Sequence, residues 1–315
     1  MNMELISGTV DQSLLREVEE VGPLIGNTPL FEIRRLYQRK GVRIYAKMEW
    51  QQLGGSVKSR PAYNIIRRAV IDGALNRDRI LLDASSGNTG IAYAAIGAAI
   101  GIKVSICLPE NASEERKLLL RMYGAEVILT SRFGSTDEAQ QIARDLNLSN
   151  PDLYFYADQY NNDSNWRSHY RSTGGEVYRQ TSGKITHFVA GLGTTGTFTG
   201  TGRRLREVNP SIQLVSLQPD SALHGLEGWK HLETAVVPGI YDSTLADEQL
   251  SIDTFEAYDL IREVARTEGL ILSPSSAANL SGAIRVADGL DRGTVVTVFP
   301  DNAEKYGDVI RSLIS

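Results

Sequence analysis

Apolar runs of strand length alternate with stretches of helical periodicity along most of this 315-residue chain. Such alternation is the signature of parallel sheets covered by helices, so the pattern predicts an α/β protein. Residues 79–84, 103–108, 126–130, 185–192, 213–217 and 294–299 read as strands. Residues 62–71, 89–100, 113–123, 135–146, 198–208, 254–268 and 276–290 read as helices. Two stretches break the rhythm. Residues 147–165, rich in Asn, Asp, Ser and Tyr, predict a passage between two domains. The first is an N-terminal α/β domain over residues 1–155, with part of residues 1–45 packing on the other; the second is a C-terminal α/β domain over residues 156–315. Residues 219–250 mix Pro, Gly and charge without a period, and a loop of that length inside a compact domain is functional or mobile.

Composition narrows the function classes. Apolar content of 42% with 23% charged residues fits a soluble globular protein. A net charge of −5 argues against nucleic acid as partner, because phosphate binding needs a concentrated basic face. No run reaches the roughly 18 to 20 apolar residues of a membrane span, and residues 1–20 lack the apolar core of a signal peptide. The single cysteine, Cys107, excludes internal disulfides and predicts a reducing, cytoplasmic setting. Its place in the apolar run 104–108 predicts a buried structural thiol. The histidines, His169, His187, His224 and His231, show no ligand spacing, so no metal site is predicted.

Three segments carry candidate chemistry. Lys58, set in Gly55-Ser56-Val57-Lys58-Ser59-Arg60-Pro61, lies in an apolar and glycine-rich surrounding. There its ammonium is destabilised and the free amine can attack an aldehyde. Ser85-Ser86-Gly87-Asn88-Thr89-Gly90 falls between a strand and a helix, where unpartnered N–H groups and the helix dipole favour a carboxylate or phosphate. A well-capped helix is the simpler reading of that segment alone. Gly191-Leu192-Gly193-Thr194-Thr195-Gly196-Thr197 has the same placement and satisfies G-x-G-x-x-G, with Asp220 at the distance of a ribose-binding acid. A dinucleotide-binding protein therefore stays open. The three threonine hydroxyls suit a terminal phosphate better than a bridging pyrophosphate. A lysine for an aldehyde, a phosphate cup and a carboxylate cup together describe pyridoxal 5′-phosphate with an amino-acid substrate.

These segments occur in the order in which a known family carries them, together with Ser275-Ser276, Gly26-Asn27-Thr28-Pro29-Leu30, Leu108-Pro109-Glu110-Asn111, Glu115-Arg116 and residues 186–191. From about residue 21 to 308 the chain resembles the cysteine synthase family of fold-type II pyridoxal phosphate enzymes, and Gly-Thr-Thr-Gly-Thr resembles its cysteine synthase B branch. The resemblance implies a two-domain, tryptophan synthase β-like α/β fold. It implies that Lys58 anchors the cofactor and exchanges the substrate Cα proton, that Gly193, Thr194, Thr195, Gly196 and Thr197 bind the cofactor phosphate, and that Asn88 meets the ring O3′. Ser275 would partner the pyridine nitrogen as a neutral hydroxyl, favouring loss of a β-leaving group. Ser85, Ser86, Thr89 and Gln159 would hold the substrate carboxylate.

The implied reaction is β-replacement, forming L-cysteine from O-acetyl-L-serine and sulfide (or a sulfur carrier) through an aminoacrylate. The implied assembly is a homodimer, with residues up to about 20 reaching a partner subunit. The chain departs from the family pattern at Leu53, Ser59, Ala277 and Asp301-Asn302-Ala303. Those departures leave an O-phosphoserine sulfhydrylase, a related β-substituted alanine synthase and an inactive paralogue open. Residues 220–239, expected to face the β-substituent, contain Lys230 but no arginine, which favours O-acetylserine over a phosphate dianion.

Overall fold

A computed structural model describes residues 10–85 and 87–314; Ser86, one of the predicted carboxylate ligands, lies outside the described residues. In chain order the first half forms α1 (Gln12–Val21), β1 (Leu30–Ile33), β2 (Val42–Met48), α2 (Ser59–Ile71), β3 (Ile80–Ala84), α3 (Asn88–Ile100), β4 (Val104–Pro109), α4 (Glu114–Met122), β5 (Glu126–Thr130), α5 (Ser135–Ser149) and β6 (Tyr154–Tyr156). The second half forms α6 (Ser164–Arg171), α7 (Thr173–Gln180), β7 (His187–Gly191), α8 (Gly196–Val208), β8 (Gln213–Pro219), β9 (Glu248–Ile252), α9 (Thr254–Thr267), α10 (Pro274–Asp288), β10 (Gly293–Phe299) and α11 (Gly307–Ile314).

The strands build two sheets, ordered β1-β2-β10-β7-β8-β9 and β5-β4-β3-β6. Within them β1 runs antiparallel to β2, and the remaining pairs are parallel. Every strand and helix read from the periodicity is present within a few residues. Four further strands appear, each with a physical reason for escaping notice. In β2 the apolar run is interrupted by Arg43 and Lys47, β1 and β6 are only four and three residues long, and β9 is a mostly exposed edge strand.

Two helices, α3 and α10, are buried nearly all round, and their small apolar residues let neighbouring elements approach closely. Helix α1 is amphipathic. Its Asp11 cap accepts from the N–H groups of Ser13 and Leu14, and Leu14, Val18 and Val21 join the core that α2 and α3 build. Each such side chain contributes about 1.5–3 kcal/mol on burial. Residues 12–21, expected to reach a partner subunit, thus pack on their own chain; residues 1–9 lie outside the described residues.

The topology aims β3, β7 and β10 so that the loops after their C-terminal ends meet in one cleft, the usual place for a ligand in parallel α/β sheets. Two residues beyond Lys58, Arg60 anchors a buried ionic cluster. Arg60 of α2 reaches Glu49 at 2.6 and 2.8 Å and Glu176 of α7 at 2.7 and 2.8 Å, and Lys47 of β2 meets Glu176 at 2.7 Å. All four side chains are at most 5% exposed. Burial alone would push Glu176 up, but Arg60 and Lys47 outweigh it and hold its carboxyl down at about 2. The fork of Arg60 satisfies two carboxylates at once, so the cluster is welded rather than merely packed.

Candidate active site

Lys58 precedes the first turn of α2, two residues from Arg60 and its ionic cluster. Its segment is tied to the six-stranded sheet by Val57 N–H donating to the Pro300 carbonyl at 2.8 Å, just beyond β10. Gly54 and Gly55 adopt the left-handed region, which turns the chain sharply into the helix. Lys58 borders a cavity shared with Asn88, Gly193, Thr194, Thr195, Thr197 and Ser275. An adjoining space is lined by Lys58, Ser85, Asn88, Thr89, Gln159 and Thr194. The structure thus gathers the sequence-predicted residues around one lysine. Gly196 is the exception among those described, because it packs behind the loop.

The glycines of residues 191–196 have steric roles. A Cβ on Gly191 would lie 2.0 Å from the Trp229 ring, one on Gly193 2.0 Å from the Gly228 carbonyl oxygen, and one on Gly196 2.0 Å from Asn165 Oδ1. The match to a dinucleotide fingerprint is accounted for by these neighbours. Thr195, in the left-handed region, caps α8. Its hydroxyl is buried without a partner, as is Asn165 Oδ1, while Asn165 Nδ2 donates to Thr194 Oγ1 at 3.1 Å.

The facing loop is held differently. Ser85 Oγ accepts from the N–H groups of Gly87 and Gly90 at 3.0 and 3.1 Å, and Thr89 Oγ1 donates to Gln159 Oε1 at 2.6 Å. Asn88 is fixed on both sides of its amide: Nδ2 donates to Asp301 Oδ2 at 2.8 Å, and Oδ1 accepts from Lys305 Nζ at 2.9 Å. Ser275, in the first turn of α10, shares a 3.2 Å hydroxyl contact with the capping Ser273.

Residues 21–301 match the family described as pyridoxal-phosphate dependent enzyme. A cysteine synthase of Aquifex aeolicus is 43% identical over 308 residues, covering 96% of this chain and 94% of that protein. The chain belongs to the pyridoxal-phosphate-dependent enzymes, in their cysteine synthase group. Cysteine synthase B of Salmonella typhimurium is 40% identical over 90% of this chain and 92% of its own length. The solved structure of a hydrogen sulfide-producing enzyme from Fusobacterium nucleatum shares the fold with a TM-score of 0.86 at 33% identity, covering 91% of this chain and 98% of that one.

Pyridoxal phosphate, the family's cofactor, fits the donors present. The buried, unpartnered Thr195 hydroxyl and the first-turn N–H groups of α8 suit its phosphate. Burial pushes the Lys58 amine down to about 8, with the negative charge of Asp301 partly opposing it. Cys107 is fully buried and its thiol is pushed up to about 12, chiefly by desolvation, which suits a structural role.

Sequence reasoning missed several side chains that shape this cleft. His169 sits behind the phosphate loop, its Nε2 3.3 Å from Thr197 Oγ1 and its Nδ1 2.9 Å from Thr173 Oγ1. Burial, with Arg60 and Lys58 nearby, holds it well below the usual histidine range, so its ring is neutral. Metal spacing was the wrong signal to seek in it. Arg116 and Glu227 pair across the cleft, from α4 to the loop after β8. The departures Ser59, Ala277 and Ala303 are buried, and among the described residues none of them lines either space. Ala277 instead packs in the apolar core against which α10 lies.

Proposed function

We propose that this chain forms L-cysteine from O-acetyl-L-serine and sulfide by β-replacement. One observation carries the reading: Lys58 is shared by two contiguous spaces, one lined by the phosphate-type loop, the other by the hydroxyl-rich loop at the start of α3. When bound, pyridoxal phosphate supplies the electron sink that makes the substrate Cα–H acidic. Lys58 holds or releases a proton near neutral pH, as exchange at Cα demands. Thr194, Thr195 and Thr197 hold the phosphate. Asn88, its amide oriented by Asp301 and Lys305, meets the ring oxygen. Ser275 would offer the ring nitrogen a neutral hydroxyl; Ser85, while accepting from Gly87 and Gly90 N–H, would donate its hydroxyl to the substrate carboxylate, and Thr89 and Gln159 would exchange their mutual hydrogen bond for it.

Two cations could have read a phosphate ester. Lys230 is engaged by Asp137 at 2.8 Å, and Arg116 is engaged by Glu227. Their pairing supports the neutral acetyl ester over O-phosphoserine. That Ser59, Ala277 and Ala303 line neither space favours an active enzyme over an inactive paralogue. The same reading makes the enzyme a homodimer of the cytoplasm. Among the described residues no helix is long and apolar enough to cross a membrane.

The test is the visible spectrum of the purified protein. A yellow protein whose band shifts with O-acetylserine and returns when sulfide is added, with cysteine as product, supports the reading. A yellow protein blind to O-acetylserine but responsive to O-phosphoserine would replace the donor, and a colourless protein that takes up no pyridoxal phosphate would overturn the assignment.

A further inference from the structure

The cleft holds an arginine that the loop composition did not foretell. Arg116 leaves the first turns of α4, and its stem lies against Gly87, where an added Cβ would stand 2.6 Å from Arg116 Cδ. Its guanidinium sits 4.8 Å over the Tyr306 ring and borders the same space as Lys58, Thr89 and Gln159. The side chain is only 6% exposed. Glu227, whose Oε2 accepts from Arg116 Nη1, is 44% exposed. It borders both inner spaces and the outer vestibule.

That asymmetry sets the roles. The buried guanidinium is held by its stem and by an aromatic face, and is a fixed charge; the carboxylate stands at the water's edge and is the removable counter-ion. A guanidinium beside a carboxylate presents a neutral pair to an incoming group. Without the carboxylate it presents a planar fork suited to phosphate or sulfate.

We propose that Glu227 is a charge filter for the β-substituent: by neutralising Arg116 it turns away a dianionic leaving group and leaves the chamber to a neutral ester. Arg116 is then a latent anion receptor. The inference deepens the proposed reaction and rests on its donor assignment. Asp301 and Lys305 also act on Arg116, but they are held by Asn88 and Tyr306 and by Gly55 and Asn88, so removing the Glu227 charge leaves them in place.

The experiment compares holoenzymes: wild type, Glu227→Gln, and Glu227→Gln combined with Arg116→Gln. The ratio of kcat/KM for O-phospho-L-serine over O-acetyl-L-serine, with sulfide as nucleophile, is expected to rise about tenfold or more in Glu227→Gln, the worth of one hydrogen bond to a charged group. The double variant should lose that gain. Inorganic phosphate, titrated calorimetrically into the same proteins, should bind about tenfold more tightly to Glu227→Gln than to wild type. An unchanged ratio together with unchanged phosphate affinity overturns the filter. So does a gain that survives loss of Arg116. If Arg116 reads the substrate α-carboxylate instead, the double variant will lose both esters equally without Glu227→Gln having favoured either. Tighter phosphate in Glu227→Gln with no turnover of O-acetylserine by wild type would uphold the filter and sink the proposed reaction, so the two failures are distinguishable.

Discussion

The two loops that face each other across the cleft are shaped by opposite means. On the six-stranded side the loop after β7 is fixed by steric contact: backbone presses on backbone at Gly193, and a ring presses on Gly191. On the four-stranded side the loop after β3 is fixed by hydrogen bonds from backbone N–H groups to the Ser85 hydroxyl and from the Thr89 hydroxyl to the Gln159 amide. Steric contacts have no substitute partner, whereas a hydrogen bond can be exchanged for another at little net cost. A loop of the first kind suits a group that stays bound through many turnovers. One of the second kind suits a substrate that comes and goes.

The largest effect is expected outside both loops, in the buried ionic cluster that joins α2 to β2 and α7. Glu176→Gln removes a charge from a buried pair while Arg60 and Lys47 stay, and should lower stability by about 3–5 kcal/mol in denaturant titration. Because the folded pKa of Glu176, about 2, lies below the ordinary glutamate value of about 4.3, its contribution is present above about pH 4.3. It is lost as pH falls toward 2. Wild type should therefore shed stability in that acid window more steeply than the variant; parallel profiles would show that the charge of Glu176 does not stabilise the fold.

Next comes Gly193→Ala. Its Cβ meets a backbone oxygen that has no freedom to yield, so a loss of about 1–3 kcal/mol and release of the cofactor on desalting are expected. The matched change, Gly87→Ala, meets the Arg116 side chain rather than backbone and should keep the yellow band. Equal cofactor loss in both variants would erase the distinction between the loops.

A smaller effect belongs to Thr89→Val, which deletes the hydroxyl that bonds Gln159. KM for O-acetylserine should rise about tenfold with the absorption of the resting enzyme unchanged. A change in kcat alone would move Thr89 out of substrate binding. The mildest is a pH dependence. With its pKa lowered to about 8, Lys58 is protonated below that pH and a free amine above it. The rate at which apoprotein regains its yellow band should climb toward about pH 8 and then level. A flat profile across about pH 7 to 9 would show that amine deprotonation does not limit capture of the cofactor.

The chain order of strand, turn and helix was legible because each unit is written in adjacent residues. So were the lysine segment and both loops, whose glycines and hydroxyls cluster within a few positions. Periodicity is a local signal, and it found β3, β4, β5, β7, β8 and β10 for that reason. It could not find β9, whose exposed edge carries no apolar run, nor β2, where Lys47 enters the apolar pattern only because Glu176 of a distant helix neutralises it. The pairings that tune the site join residues far apart along the chain, 111 positions for Arg116 and Glu227 and 213 for Asn88 and Asp301. No local pattern marks such partners. Sequence determined which chemistry the cleft holds; tertiary structure decided which charges are left free to act on it, since a charge buried beside its opposite is silent and the same charge alone is a receptor.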